Sequence, residues 1–118
     1  TVISGIETAL WDIKGKYYNM PVYEFLGGKV RDKPKVYSWI GGDRPNNVAE
    51  EAKQRFDRGF TAVKMNATEE LHYIDSYEKV DQVLERMNSI KELLGNKIQV
   101  GIDFHGRVHK PMAKILIK

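Results

Sequence analysis

The stretch IQVGIDFHG, residues 98–106, is the clearest strand signal in the chain, because its apolar side chains alternate with small or polar ones. That period of two predicts a strand over residues 98–105. Successive side chains of a strand point to opposite faces, so Gly101, Asp103 and His105 fall on one face and the apolar residues fall on the other. The strand is therefore predicted to end in a carboxylate and an imidazole that lie side by side.

Two similar runs come earlier in the chain, and each is followed by a helical pattern. Residues 35–40 and 60–66 are predicted strands, and residues 47–59 and 75–95 are predicted helices. This alternation predicts an α/β fold with right-handed βαβ units and a parallel sheet. Three such units do not distinguish an open sheet from a barrel.

The helices carry their own start signals and apolar faces. Asn47 and Glu50 form a predicted capping box at the start of one helix, and Pro111 is predicted to open a further helix after the third strand. The longest helix is predicted to bury a stripe made of Tyr77, Val80, Leu84, Met87, Ile90 and Leu94.

Residues 1–33 have a different pattern, with a helical apolar stripe and a short helix after Pro21, and the basic stretch from Lys29 to Pro34 is a predicted linker. We therefore predict two domains, residues 1–33 and residues 34–118. Thr1 is not an initiator Met, and the helical pattern that Pro111 opens continues to Lys118. We expect the chain to be an internal piece of a longer protein.

The composition excludes several classes of protein. The 118 residues include 0 cysteines, which excludes disulfide scaffolds and cysteine nucleophiles. The 19 basic and 16 acidic residues interleave, so a net charge of +3 gives no argument for nucleic acid. No apolar run approaches the roughly 20 residues that a membrane span needs. We expect a cytoplasmic protein with neither a nucleic-acid nor a membrane partner.

Polar residues at the ends of the predicted strands are the candidate site, since parallel α/β folds bind ligands there. Asp103 could bind a divalent cation such as Mg²⁺, and His105 could exchange a proton near neutral pH. Alternatively, the two could be a structural hydrogen-bonded pair, or Asp103 could cap the next helix. Lys64 and Asn66 share a face of the second strand, where Lys64 could hold an anionic substrate or could simply reach solvent.

Several motifs resemble a known family. Residues 4–16, SGIETALWDIKGK, with PVY at 21–23 and LGG at 26–28, resemble the end of the capping domain in the mandelate racemase-like branch of the enolase superfamily. The runs VYSWIGGD at 36–43, VKMN at 63–66 and DFHGRV at 103–108 resemble the acid-sugar dehydratases of that branch.

The resemblance implies part of a modified TIM barrel, its first three βα units, preceded by the last helices of an α+β capping domain. It implies a Mg²⁺-dependent dehydratase that removes the proton α to a carboxylate, stabilises an enediolate and expels the β-hydroxyl. D-galactonate is the favoured substrate and 2-dehydro-3-deoxy-D-galactonate the product. Asp103 is similar to the first metal-binding carboxylate, and His105 to the acid that assists departure of the hydroxyl. Lys64 and Asn66 are then expected to bind substrate, and the complete enzyme is expected to be a homo-oligomer.

One position departs from the family pattern. The lysine of the second strand often belongs to a Lys-x-Lys pair whose second lysine is a base, and here that position is Asn66. The resemblance then implies a histidine base which, like the other metal carboxylates, lies beyond Lys118, so residues 1–118 alone should be inactive. Two alternatives remain: another sugar-acid dehydratase or racemase of the superfamily, or a non-catalytic α/β binding module.

Overall fold

A computed structural model describes all of residues 1–118, which divide into two compact units, Thr1–Lys35 and Val36–Lys118. The division falls two residues after the sequence-predicted boundary, in the same linker. None of the helices is both long enough and apolar enough to cross a membrane.

The first unit consists of α1 (Val2–Tyr18) and α2 (Val22–Phe25). Asn19 ends α1 in the left-handed conformation, with φ of 52°. The chain then turns back so closely that a Cβ on Gly15 would lie 2.9 Å from the Met20 carbonyl oxygen. Glycine is therefore required where the two helices approach each other.

The second unit is a parallel three-stranded sheet with helices between its strands. The strands are β1 (Ser38–Trp39), β2 (Ala62–Asn66) and β3 (Gln99–Asp103), in the order β1-β2-β3. The helices are α3 (Val48–Asp57), α4 (Tyr77–Leu94) and α5 (Lys110–Leu116). The predicted α/β fold with parallel βαβ units is confirmed.

One face of the sheet packs on α3 and α4. Val63 and Met65 of β2 are 1% and 0% exposed, and they pack in a cluster completed by Ile40, Val48, Ala52, Ile90, Leu94 and Ile98. Because side chains alternate, Lys64 and Asn66 of β2 point to the opposite face. That opposite face carries the candidate site.

Two local predictions about the helices are wrong. Asn47 precedes α3 with φ of 45° and makes no side-chain capping bond; Glu51, not Glu50, reaches back to accept a hydrogen bond from the Gly41 amide, at 3.0 Å. In α4, Tyr77 and Leu84 are 71% and 50% exposed, and Val83 is buried in their place. The buried stripe of α4 is set by its contact with α3 and the sheet, which rotates it away from the face that sequence spacing favoured.

The strands are shorter than predicted, and the shortening of β3 affects the candidate site. β3 ends at Asp103, and the next residues form a turn in which His105 and Gly106 have φ of 49° and 68°. His105 is therefore not a strand residue, and strand alternation does not place its side chain.

Candidate active site

Neighbouring strands bring Lys64 and Asp103 into direct contact. In the register of β2 and β3, Lys64 lies opposite Gly101 and Asn66 lies opposite Asp103. Gly101 has no side chain, so the Lys64 stem passes over it toward the carboxyl end of β3. The Lys64 Nζ atom donates a hydrogen bond to Asp103 Oδ2 at 2.7 Å, and the two side chains are only 27% and 29% exposed.

This ion pair sets the charges of the site. The hydrogen bond from Lys64, and after it the one from the His105 amide, holds the pKa of Asp103 below its ordinary value. The same bond to Asp103 raises the pKa of Lys64 above its ordinary value. At neutral pH Asp103 is therefore a carboxylate and Lys64 a cation. A lysine in this state binds anions and is not poised to accept a proton.

Two aromatic rings complete the surroundings of the lysine. The Lys64 Nζ atom lies 5.0 Å from the centroid of the Trp39 ring and 5.6 Å from that of Tyr37. Both distances are within the range of cation–π attraction. The ammonium group is thus held between the Asp103 carboxylate and two ring faces from the first strand region.

His105 reaches the same carboxylate from the turn after β3. Its backbone amide donates a hydrogen bond to Asp103 Oδ1 at 2.8 Å, and its imidazole Nδ1 atom lies 3.8 Å from Asp103 Oδ2. The imidazole is 51% exposed, so an incoming ligand can contact it. Sequence reasoning expected Asp103 and His105 to be neighbours. They are neighbours, but they do not share a face of one strand. A turn and a backbone hydrogen bond bring them together.

Asn66 is placed differently from the other three predicted site residues. Its side chain is 1% exposed, and its Nδ2 atom donates a hydrogen bond to the Asp43 carbonyl oxygen at 2.9 Å. Its Oδ1 atom is buried without a hydrogen-bond partner. In this structure Asn66 fastens the loop after β1 to the end of β2. Contact between Asn66 and substrate stays a prediction.

Comparison with known proteins identifies the family. The family model described as "Enolase C-terminal domain-like" matches residues 47–118, and the model for the N-terminal domain of mandelate racemase and muconate lactonizing enzyme matches residues 1–27. The chain belongs to the enolase superfamily. The resemblance that the sequence motifs carry, to its mandelate racemase/muconate lactonizing enzyme branch, is confirmed.

Individual members of the enolase superfamily are closely similar over the whole chain. A D-galactonate dehydratase from Pectobacterium atrosepticum is 53% identical over 118 residues, which are 100% of this chain and 31% of the relative. A structure described as a mandelate racemase/muconate lactonizing enzyme from Labrenzia alexandrii superposes with a TM-score of 0.80 at 33% identity, covering 98% of this chain and 32% of that one.

A second such structure, from Jannaschia sp., gives a TM-score of 0.78 at 28% identity, covering 96% of this chain and 33% of that one. The chain therefore spans about a third of the length of these relatives. The arrangement of parallel strands and helices found here is that of the enolase superfamily.

Members of the enolase superfamily use one or two Mg²⁺ ions, so the residues of the chain can be tested against that requirement. Asp103 is a suitable ligand, because it is an ionised oxygen donor at a strand end. No group of three or more His, Cys, Asp and Glu side chains in residues 1–118 could hold a metal ion. Asp103 thus fits Mg²⁺ in the kind of ligand atom it offers, and its metal role stays a prediction.

Sequence reasoning did not include the aromatic residues of the first strand region among the candidate site residues. Trp39 lies opposite Lys64 in the register of β1 and β2. Tyr37 and Trp39 are two positions apart, so they share a face of the strand. Given the register of β1 and β2, the two-residue spacing of Tyr37 and Trp39 indicates that both rings lie on the side of Lys64.

Proposed function

We propose that residues 1–118 form part of a Mg²⁺-dependent acid-sugar dehydratase that converts D-galactonate to 2-dehydro-3-deoxy-D-galactonate. The observation that carries the proposal is the cluster of Lys64, Asp103 and His105 at the carboxyl ends of parallel strands. The 53% identity to a D-galactonate dehydratase supports the choice of substrate.

In this proposal Asp103 is the residue that holds Mg²⁺. Its lowered pKa keeps it ionised, and a hard cation prefers charged oxygen ligands. When bound, the ion stabilises the negative charge that develops on the enediolate. Both Asp103 oxygens already accept hydrogen bonds, from Lys64 and from the His105 amide, and these fix the orientation of the carboxylate.

Lys64 binds the carboxylate of the acid sugar. Its raised pKa keeps the ammonium charged. The rings of Trp39 and Tyr37, from the first strand region, stabilise this charge by cation–π attraction. A protonated lysine cannot take the α-proton, and in this proposal His105 serves the departing hydroxyl, so the base is expected outside this cluster. We propose that it belongs to sequence outside residues 1–118.

His105 donates the proton to the departing β-hydroxyl. The C–O bond breaks, the electron pair of the broken C–H bond forms the new double bond, and the hydroxyl leaves as water after it takes the imidazolium proton. The imidazole supports this role by its place, because it lies beside Asp103 and is 51% exposed, within reach of an incoming ligand.

Another sugar-acid dehydratase or a racemase of the same superfamily is the second candidate. The structures from Labrenzia alexandrii and Jannaschia sp., described as mandelate racemase/muconate lactonizing enzymes, favour it at 33% and 28% identity. A racemase would return the proton to the α-carbon and keep the β-hydroxyl, so it would not need His105 as an acid. A homo-oligomeric state and a cytoplasmic location stay predictions.

The full-length protein should be tested against a panel of acid sugars with the C2, C3 and C4 epimers of D-galactonate included. We expect formation of a 2-keto-3-deoxy acid from D-galactonate, which NMR detects directly, and loss of this activity when a chelator removes Mg²⁺. Turnover of only an epimer would assign a different dehydratase. Exchange or inversion at C2 without loss of water would assign a racemase.

A further inference from the structure

The turn that carries His105 has an unusual backbone. His105 and Gly106 both have positive φ, 49° and 68°, and the Arg107 amide donates a hydrogen bond to the Phe104 carbonyl oxygen at 2.8 Å. Two successive positive φ values between hydrogen-bonded ends are typical of a type I′ turn. Glycine adopts this conformation freely, but histidine does so at a cost in free energy. Contacts around the turn must therefore hold His105 in place.

The turn is held at both ends. At its start, Asp103 Oδ1 accepts the hydrogen bond from the His105 amide. At its end, the Arg107 guanidinium donates two hydrogen bonds to Asp43, in the loop after β1. Nη1 reaches the Asp43 carbonyl oxygen at 2.8 Å, and Nη2 reaches Oδ1 at 2.6 Å. The Arg107 side chain is 16% exposed and the Asp43 side chain is 66% exposed, so the contact is shielded from solvent on the arginine side only.

Asp43 is itself anchored to the sheet. Its carbonyl oxygen also accepts the hydrogen bond from the Asn66 Nδ2 atom, and Asn66 is buried at the end of β2. The loop after β1, the end of β2 and the turn after β3 therefore meet at one carbonyl oxygen. By contrast, Arg44 pairs with Glu70 at 2.9 Å through side chains that are each 63% exposed. This pair makes no hydrogen bond to the turn, and the charge of Arg107 adds only to the lowering of the Glu70 pKa, after the hydrogen bonds to Glu70.

We propose that Arg107 is a positioning residue for His105. Its two hydrogen bonds to Asp43 stabilise the type I′ turn that places the imidazole beside Asp103. The proposal rests on the proposed function, in which His105 is the acid for the leaving hydroxyl. Arg107 itself does not touch Asp103 or the reacting atoms. A guanidinium is needed because its fixed fork matches two oxygen atoms of one residue, which the single ammonium of a lysine does not.

The test compares Arg107→Met, Arg107→Lys and Asp43→Ala with wild type in the full-length protein. Arg44→Met is the matched control, because it removes an arginine contact from the same loop and leaves the turn alone. For each protein we would measure dehydration of D-galactonate and exchange of its α-proton in deuterated water. Displacing the acid by about 1 Å can slow a reaction by about 10²-fold, so dehydration in Arg107→Met should fall by that order relative to exchange.

In Arg107→Lys and Asp43→Ala the ratio of dehydration to α-proton exchange should fall less than in Arg107→Met, because each variant keeps part of the contact. The KM should change little in all variants, and Arg44→Met should match wild type. Equal losses of dehydration and exchange, or an unchanged ratio in Arg107→Met, would overturn the proposal. If Arg107→Met does not fold, Arg107→Lys and Asp43→Ala carry the same comparison.

Hydrogen exchange of the backbone amides separates this proposal from the proposed function. The amides of His105 and Arg107 should lose protection in Arg107→Met and keep it in Arg44→Met. If the wild-type protein does not dehydrate D-galactonate, the proposed function fails, but faster exchange of these two amides would still show that Arg107 holds the turn. Unchanged protection of both amides would overturn the proposal whatever the activity.

Discussion

Replacing Asn66 distinguishes two roles that the buried amide could have, anchor of the loop after β1 or contact for substrate. Asn66→Leu keeps the approximate size of the side chain and removes both of its polar atoms. It deletes the hydrogen bond to the Asp43 carbonyl oxygen, which contributes about 0.5–1.5 kcal/mol to stability. It also removes the buried Oδ1 atom that has no partner, and such an atom costs about 1–3 kcal/mol.

These two effects oppose each other, so we expect Asn66→Leu to melt close to the temperature of wild type. The matched variant Asn66→Asp should melt clearly lower. It loses the same donor and places a carboxylate against a carbonyl oxygen at a site that is 1% exposed. An uncompensated buried charge costs about 3–5 kcal/mol. Thermal unfolding of the three full-length proteins side by side measures this order.

The kinetics of Asn66→Leu then decide between the roles. If Asn66 is an anchor, the KM for D-galactonate should stay near the wild-type value, and only the rate of dehydration should fall as Asp43 loosens. A lost hydrogen bond to substrate would instead weaken binding, by about tenfold for each 1.4 kcal/mol. A rise in KM of that size in a variant with wild-type stability would refute the anchor role and establish Asn66 as a substrate contact.

Four further variants test other parts of the account. Lys64→Met removes the hydrogen bond that is the largest cause of the lowered pKa of Asp103, so the pKa of Asp103 should rise. When the pH is decreased, Mg²⁺-dependent activity should then be lost at a higher pH than in wild type. Loss of activity at the same pH as in wild type would contradict the role of the ion pair. Gly41→Ala should destabilise by about 2–4 kcal/mol, because Gly41 has φ of +78° and a Cβ there would lie 2.8 Å from a valine side chain. Gly42→Ala, with φ of +65° and nothing within 4 Å, should cost only about 1–2 kcal/mol, and equal melting temperatures would contradict this difference. His105→Asn should stop dehydration and keep α-proton exchange, as measured by NMR in deuterated water; loss of both in a folded protein that still binds Mg²⁺ would remove the acid role.

The sequence alone was sufficient to predict the parallel sheet and the place of Lys64 and Asp103 on its ligand-facing side, but it did not predict their ion pair. Both follow from short-range patterns: alternating side chains define the strands, and parallel strands end at the same edge of a sheet. Any register near the observed one brings the long Lys64 side chain within reach of a carboxylate at the end of the next strand. Small errors in the predicted strand boundaries therefore do not change the predicted place of these two residues.

Features that depend on loops could not be predicted in this way. The Arg107–Asp43 contact joins residues 64 positions apart, and it depends on the path of two loops that contain no periodic pattern. Burial of Asn66 has the same origin, because the loop after β1 covers it. The turn at His105 was also missed, since a histidine with positive φ is stabilised by Asp103 and is not favoured by its own sequence.

The central claim is that Asp103 holds Mg²⁺ at the end of β3. Asp103→Asn keeps the size of the side chain and one oxygen atom but removes the negative charge that a hard cation prefers. Calorimetric titration of the full-length wild-type and variant proteins with Mg²⁺, in the absence of substrate, tests the claim without relying on turnover. We predict that the variant binds Mg²⁺ at least about tenfold more weakly, a loss of about 1.4 kcal/mol, with unchanged secondary structure. Equal Mg²⁺ affinity in the two proteins would contradict the claim and leave Asp103 as the structural partner of Lys64 and His105.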